Sequence, residues 1–359
     1  MRRAMKQIAI RTVCLLILAA PCTAATHAQS SAPVSPIHVK VVVVTMFERG
    51  NDTGDAPGEF QFWVEREHLD QVFDLPAGFH HARMNNDGVL GIVTGEGAAR
   101  AAASTMALGL DPRFDLSKAY WIVAGIGGGD PADVSIGSGV WVEHVVDGDL
   151  AFEIDAREIP KNWPTGYIPF GRLAPYQEPT PKDEGNWYTL NPKLVAWAYQ
   201  LTRNVPLAES DISAAGREYR ASFVGFPNAQ KDPFVAEGDE VSSSTFWHGA
   251  LMNRWANRWD RYFTGGNYMV SAMEDSGTLQ SLTFLDHAGR VDLRRVLVLR
   301  TISNYDRQPR GETAVESLQS MQGGKYPGYL AALEAAERVG DTVVRSIIAN
   351  WPARQVSVP

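Results

Sequence analysis

The sequence YWIVAGIGGGDP occupies residues 120–131, and the interpretation of the whole chain starts from it. An apolar run of strand-forming residues passes into four glycines within five positions. This pattern predicts a buried strand that ends where the backbone approaches something closely. In open α/β sheets, ligands bind beyond the carboxyl ends of the strands, where exposed backbone N–H groups can meet anionic or hydroxyl groups. A glycine turn that serves only chain reversal is the alternative.

Other segments predict neighbours for this strand. Residues 38–45 contain an unbroken run of valines, which is typical of a strand buried on both faces. Residues 90–94 read as a strand and 98–108 as a helix, so with the glycine-rich strand they form a βαβ unit with parallel pairing. Residues 294–303 predict a last central strand. We therefore expect an α/β protein with a central twisted, mostly parallel mixed sheet flanked by helices.

Helices are predicted for the later parts of the chain, at residues 192–202, 209–220, 245–262, 275–287, 312–321 and 329–351. Trp247, Trp255 and Trp259 recur at helical spacing, which favours a packed helix face. A segment rich in prolines and aromatic residues, near 157–190, reads as an ordered insertion because disordered segments lack so many aromatics. It is either a lid over a planar ligand or a surface layer.

The first 28 residues have the composition of an export signal. Three basic residues within the first six positions precede an apolar run at 13–20, and small residues lead to Ala28, after which we expect cleavage. Residues 29–36 read as a flexible lead-in, and 37–359 as one domain. No later stretch approaches the ~20 apolar residues of a membrane span, so we expect a mature chain without one, exported to the periplasm.

Composition argues against several classes of function. Both cysteines, Cys14 and Cys22, lie in the predicted signal, so the mature chain would have no disulfide, thiolate nucleophile or cysteine metal site. Removing the signal takes Lys+Arg from 33 to 29 against 41 acidic residues, and the formal charge from -8 to -12. This acidic balance argues against nucleic acid as a partner. His80 and His81 are expected at the surface, and we expect no metal.

Polar side chains at the predicted strand ends are the candidates for a binding site. Such ends occur near Met46, Gly95, Gly125 and Asn304. A carboxylate such as Glu274, among small residues, is suited to accept hydrogen bonds from two sugar hydroxyls, and the Asn304 amide can donate and accept on a purine edge. The alternative for Glu274 is an ion pair with an arginine inside the core.

Four short motifs resemble those of a known superfamily. They are GEGAARA at 95–101, AGIGG at 124–128, SAMED at 271–275 and TISN at 301–304. The nucleoside phosphorylases and nucleosidases carry similar motifs in this order, and the chain from about residue 37 is similar to the purine nucleoside permease family. The resemblance implies a protein that binds purine nucleosides and cleaves their N-glycosidic bond by hydrolysis or phosphorolysis. The alternative is a non-catalytic nucleoside-binding component that assists transport.

The resemblance also implies roles for individual residues. Met273 and Glu274 match the segment that holds the ribose hydroxyls in the superfamily. Asn304 matches the position that recognises the base, where an amide stabilises the negative charge that develops on the leaving purine. Asp306 would serve as the acid if the register differs. Gly125 and Gly127 match the backbone that lies near the nucleophile.

The chain departs from the phosphorylase motif at the phosphate position. Ile126 stands where phosphorylases carry a serine, so Arg49 and Arg100 are the remaining candidates for binding phosphate. Hydrolysis is therefore an open alternative, and we interpret Glu48, at the first strand end, as the carboxylate that activates water. No cofactor is expected, other than phosphate as the co-substrate of a phosphorolysis. A separate membrane transporter and a second copy of the chain are further partners that the resemblance leaves open.

Overall fold

The computed structural model describes residues 35–177, 185–207 and 212–359. Pro36–Pro359 form one compact unit. The predicted signal peptide and nearly all of the lead-in lie outside the described residues, as do parts of the aromatic segment and of the helix predicted at 209–220. These predictions therefore stay predictions.

The described chain contains both strands and helices. The strands are β1 Ile37–His38, β2 Val41–Thr45, β3 Gln71–Phe73, β4 Ala82–Met84, β5 Val89–Val93, β6 Phe114–Asp115, β7 Tyr120–Gly129, β8 Gly139–Asp147, β9 Ala151–Glu153, β10 Tyr167–Pro169, β11 Trp187–Thr189, β12 Val235–Ser242, β13 Tyr268–Ala272 and β14 Val296–Tyr305. The helices are α1 Gln61–Arg66, α2 Ala98–Gly109, α3 Pro192–Thr202, α4 Ala214–Ser222, α5 Ala250–Phe263, α6 Asp275–His287, α7 Ala314–Ser320, α8 Tyr329–Ala349 and α9 Trp351–Arg354.

The main sheet is mixed and is parallel through its centre. Strands β5, β2, β7 and β14 are successive parallel neighbours. The valine strand β2 lies between β5 and β7, so the two strands of the predicted βαβ unit both pair with β2. Antiparallel pairings add β4 and β3 at one side and β11 beyond β8. The predicted α/β fold with a mixed central sheet is confirmed.

Part of the sheet closes on itself. Strand β14 pairs with both β7 and β8, β8 pairs with β12, β12 with β13, and β13 returns to β7. The sequence did not predict β12, which contains the buried acidic residues Asp239 and Glu240. The five strands form a closed ring, and residues of β7, β13 and β14 line a cavity.

The glycine-rich segment is a strand and not a turn. Residues 125–129 continue β7 and pair with β14 along their length. A Cβ on Gly127 would lie 2.7 Å from the Ser271 carbonyl oxygen, and one on Gly128 would lie 2.8 Å from Ser271 Oγ. Gly127 and Gly128 are needed because β13, which pairs with β7 here, lies too close to leave room for a side chain.

Helices pack on the sheet as the apolar patterns require. Helix α8 packs against β14 and β7, and α2 packs against α6. The α2–α6 approach depends on Gly277, where a Cβ would lie 2.1 Å from the Ala98 carbonyl oxygen. Helix α6 has the predicted bounds, and α3 starts at the predicted Asn191 cap, whose side chain accepts from the Lys193 N–H.

Candidate functional site

A cavity of about 420 Å³ opens where β2, β7, β13 and β14 bring their ends together. Eight of the nine predicted site residues line it, namely Glu48, Arg49, Arg100, Gly127, Met273, Glu274, Asn304 and Asp306. The ninth, Gly125, lies just beneath its wall, where a Cβ would meet Arg300 Nη1 at 2.6 Å and Glu59 Oε1 at 2.7 Å. Residues far apart in sequence therefore surround one space.

The first end of the cavity, which we call the acidic end, is built on Arg300. This buried guanidinium, in the middle of β14, donates to both carboxylate oxygens of Asp275 at 2.8 and 2.5 Å and to Glu274 at 3.2 Å. Glu274 also accepts from the Gly97 N–H at 3.0 Å. The alternative predicted for Glu274, a core ion pair with an arginine, is thus present in a residue that also lines the cavity.

The buried carboxyl groups Glu274 and Glu240 have raised pKa values. Burial raises the pKa of Glu274, and the Arg300 guanidinium opposes that rise. Glu240 lies 3.9 Å from Arg300 with no hydrogen-bond partner for either oxygen among the described residues. Burial, and then the charge of Asp275, hold the pKa of Glu240 well above its usual range.

Glu59 completes the acidic end and was not identified from the sequence. Its carboxyl oxygens accept from the Met46 and Ile126 N–H groups, each at 2.7 Å. Burial raises the pKa of Glu59 to about 8, opposed by Arg300 and assisted by the charge of Glu274. A carboxylate has about four lone-pair positions, so Glu59 keeps two of them for a ligand.

Glu48 lines the cavity but is engaged with the backbone. Its Oε1 accepts from Arg49 N at 2.8 Å and from Gly58 N, and its Oε2 accepts from Phe60 N at 2.8 Å and Gln61 N at 2.6 Å. These four bonds hold the loop between β2 and α1 and use the acceptor capacity of the carboxylate. This geometry favours a structural role for Glu48.

The other end of the cavity, which we call the amide end, is built on Asn304. The β14–β7 register shifts between Ile302 and Asn304, which marks a bulge in β14. Asn304 Oδ1 accepts from Ser303 Oγ at 2.9 Å, and its Nδ2 donates to the Tyr305 carbonyl at 3.1 Å, which leaves the second Nδ2 hydrogen free. Gly128 lies directly opposite, since a Cβ there would be 3.4 Å from Asn304 Nδ2.

Asp306 lies at the amide end, fully buried. Its carboxyl accepts from Tyr268 OH at 2.6 Å and from Asn253 Nδ2 at 3.1 Å. Burial, reinforced by the charge of Asp130, raises the pKa of Asp306 to about 8, so the group holds a proton at neutral pH. Gly125 lies at the acidic end and Gly128 at the amide end. Three residues of β7 separate these glycines, so the two ends are about 10 Å apart.

Arg49 and Arg100 are exposed at the wall of the cavity. The Arg49 guanidinium lies 4.3 Å from the centre of the Tyr329 ring, and Arg100 lies 5.9 Å from that of Phe79. Neither arginine has a carboxylate partner within the described chain. Both can therefore meet an anion that approaches from solvent.

Aromatic side chains form the remaining wall. Phe246 and Tyr326 stack with their ring centres 6.2 Å apart. Trp247 also lines the cavity, because α5 begins at Ala250 and leaves Trp247 in the preceding loop, outside the packed helix face that its spacing predicts. The described residues of the aromatic segment, 157–177 and 185–190, do not line this cavity.

The fold is that of known nucleosidases. Similar solved structures are a 5′-methylthioadenosine/S-adenosylhomocysteine nucleosidase from Neisseria meningitidis, with a TM-score of 0.50 and 16% identity, and a futalosine hydrolase from Helicobacter pylori, with 0.51 and 15%. Each match covers 86% of this chain, and 99% and 98% of the respective structures. At this identity the likeness concerns the fold.

The family follows from the sequence comparison. The family model for purine nucleoside permease matches residues 38–356, and the chain belongs to this family. It is 30% identical to the purine nucleoside permease of Candida albicans over 92% of this chain and 80% of that protein. It is also 30% identical to a probable purine nucleoside permease of Schizosaccharomyces pombe, over 72% and 76%. Among the described residues, no helix has both the length and the apolar character to cross a bilayer.

Proposed function

We propose that this chain binds a purine nucleoside in the cavity and cleaves its N-glycosidic bond by hydrolysis. The observation that carries the proposal is the placement of two carboxyls with pKa values raised to about 8, Glu59 and Asp306, in the wall of one cavity that Glu274 and Asn304 also line. The family supplies the substrate class, because its characterising name and its relatives refer to purine nucleosides.

The acidic end is suited to the sugar. Glu274 can accept hydrogen bonds from two ribose hydroxyls while Arg300 and the Gly97 N–H fix its position. A positively charged sugar develops as the bond breaks, and the carboxylates at this end would stabilise that charge. Met273 would lie against the same sugar.

The amide end is suited to the base. The Asn304 amide can bond to the edge of the purine, and Asp306 holds the proton that the leaving base must gain. Trp247 and Phe246 offer aromatic surfaces for the purine ring. As the bond from C1′ to the base breaks, its electron pair passes to the base nitrogen and the proton follows.

Water is the nucleophile that the charges favour. In its ionised form Glu59 has two free acceptor positions and can take a proton from water as the oxygen attacks C1′. Because its pKa is raised to about 8, the share of this form increases as the pH rises toward 8. The role first considered for Glu48 therefore moves to Glu59 in this proposal. Phosphate at the acidic end would be repelled by several carboxyl groups and would receive no hydrogen bond from the Ile126 side chain. The two arginines that could bind it, Arg49 and Arg100, lie at the exposed wall. We further propose export from the cytoplasm, on the composition of residues 1–28.

The test is incubation with inosine and with adenosine, with and without phosphate, followed by chromatography of the products. Free base and ribose in phosphate-free buffer are expected, with a loss of at least about 100-fold in kcat for Glu59→Gln. Glu218→Gln, an exposed acid on α4, is the matched control and should keep full activity. Phosphate-dependent ribose 1-phosphate would instead establish phosphorolysis. Nucleoside binding without any free base would refute the enzymatic proposal and favour the transport component.

A further inference from the structure

Three side chains outside the cavity converge on one point. Asp52 lies in the loop between β2 and α1, and His80 and His81 lie just before β4. His80 Nε2 is 3.2 Å from Asp52 Oδ1, and His81 Nε2 is 2.7 Å from Asp52 Oδ2. One ligand atom from each of the three residues lies within 4.8 Å of the others.

The 3.2 Å between His80 Nε2 and Asp52 Oδ1 suits a tetrahedral ion, whereas the 2.7 Å between His81 Nε2 and Asp52 Oδ2 is a direct hydrogen bond that a bound ion would replace. Bonds of about 2.0–2.1 Å to His nitrogen and carboxylate oxygen require ligand atoms about 3.3 Å apart in a tetrahedral arrangement. The Asp52 side chain is only 3% exposed, whereas those of His80 and His81 are 24% and 31% exposed. The carboxylate is thus held inside while the two imidazoles leave a path from solvent.

The surrounding bonds orient the ligands. His80 Nδ1 lies 3.0 Å from the His81 carbonyl oxygen and can donate to it, which directs the Nε2 lone pair of that tautomer toward Asp52. Metal-bound histidines commonly have such an outer partner. Arg83 Nε donates to Asp52 Oδ2 at 2.5 Å, which fixes the carboxylate and leaves Oδ1 as the oxygen for an ion.

We propose that Asp52, His80 and His81 form a binding site for a divalent transition-metal ion of the zinc class. Two imidazoles and one carboxylate are a ligand set that such ions accept, with water in the fourth position. Arg83 already provides the countercharge for Asp52, so the charge balance does not require protonated imidazoles. Its positive charge also makes the affinity weaker than that of a cysteine-rich structural site.

The ion would join two parts of the cavity wall. Asp52 belongs to the loop that carries Glu48 and Arg49, and His80 follows Phe79, and all three of these neighbours line the cavity. This proposal departs from the sequence prediction that no metal is bound. The bound ion would hold the two loops together and would take no part in cleavage of the N-glycosidic bond.

The test uses Zn²⁺ and Co²⁺ with the full chain, without a histidine tag. Cys14→Ser and Cys22→Ser are included so that these two thiols do not bind the ions. We expect one Zn²⁺ per chain by calorimetry, a Co²⁺ absorption band of tetrahedral intensity in the visible range, and a Tm that rises with added Zn²⁺. Asp52→Asn and His81→Gln, made separately, should each weaken Zn²⁺ binding at least tenfold and remove the Co²⁺ band.

The matched control is His38→Gln. His38 forms a His–Asp pair with Asp115 at 2.9 Å, but within residues 35–177, 185–207 and 212–359 no group of three metal-binding side chains includes it, so its loss should leave Zn²⁺ binding unchanged. Circular dichroism without metal establishes that each variant folds. No Co²⁺ band and no Tm shift in the chain with His80, His81 and Asp52 intact would overturn the proposal, whatever the variants do. Equal Zn²⁺ affinity in folded Asp52→Asn and His81→Gln would also overturn it.

Discussion

Replacing Glu59 by glutamine should reduce the pH dependence of stability. The folded state raises the pKa of Glu59 from its ordinary value of 4.5 to about 8, so it binds the proton more tightly than the unfolded chain does. This contribution to stability is fully present below pH 4.5 and is lost as the pH rises toward 8. At 1.36 kcal/mol per pKa unit, the change is at most about 5 kcal/mol.

Glutamine has the shape of the protonated acid but cannot ionise. At pH 5 we expect Glu59→Gln to be slightly less stable than wild type, by about 1 kcal/mol, because the amide offers one acceptor oxygen in place of two. At pH 9 the wild type carries a buried charge and the variant does not, so the variant should be the more stable protein. The same substitution should abolish water activation, so at pH 9 stability should rise while activity is lost.

The assay is urea unfolding followed by tryptophan fluorescence at pH 5 and pH 9. The difference in free energy of unfolding between wild type and Glu59→Gln should change sign between the two conditions. Glu218→Gln should follow the wild type at both. A constant difference between wild type and Glu59→Gln across this range would refute the assignment of a raised pKa to Glu59.

Two further predictions concern the packing beneath the cavity, and urea unfolding measures both. Gly125→Ala should lower the free energy of unfolding by about 1–3 kcal/mol, because its Cβ would meet Arg300 Nη1 at 2.6 Å. Gly139→Ala, whose nearest contact is an ordinary 3.4 Å, should cost much less, and equal losses would contradict the packing argument. Arg300→Met should cost about 3–5 kcal/mol, because it leaves Asp275 buried and unpaired. Arg294→Met removes an exposed ion pair and should cost under about 1 kcal/mol, so similar losses at both arginines would be evidence against the buried network.

Local signals predict the elements whose stability is local. Asn191 and the proline after it mark the start of α3, and the Gly289 region follows the end of α6, so both helices have the predicted bounds. The strand β12 was missed because Asp239 and Glu240 look like solvent-facing residues in the sequence. Their burial depends on partners such as His144, which lies 2.8 Å from Asp239 and is distant in sequence.

The residues of the candidate site also fall into those that the local sequence indicates and those that it does not. Asn304 follows an apolar strand segment and Glu274 lies among small residues, the family resemblance implies a role for each, and both line the cavity. Glu59 lies in a loop between unremarkable neighbours, and nothing local reveals that Ile126 and Met46 donate to it. Arg300 did carry a signal, since it interrupts the apolar run of β14, where a charge requires buried partners.

The closed ring of β7, β14, β8, β12 and β13 can form only late during synthesis of the chain from its N-terminus to its C-terminus. Trp121 in β7 pairs with Val296 in β14, so the ring stays open until the last strand has been made. Until then β7 and β8 present unpaired edges, which are templates for aggregation. A chain truncated before Val296 would keep those edges permanently, whereas loss of α9 alone would leave every strand of the ring with its neighbours.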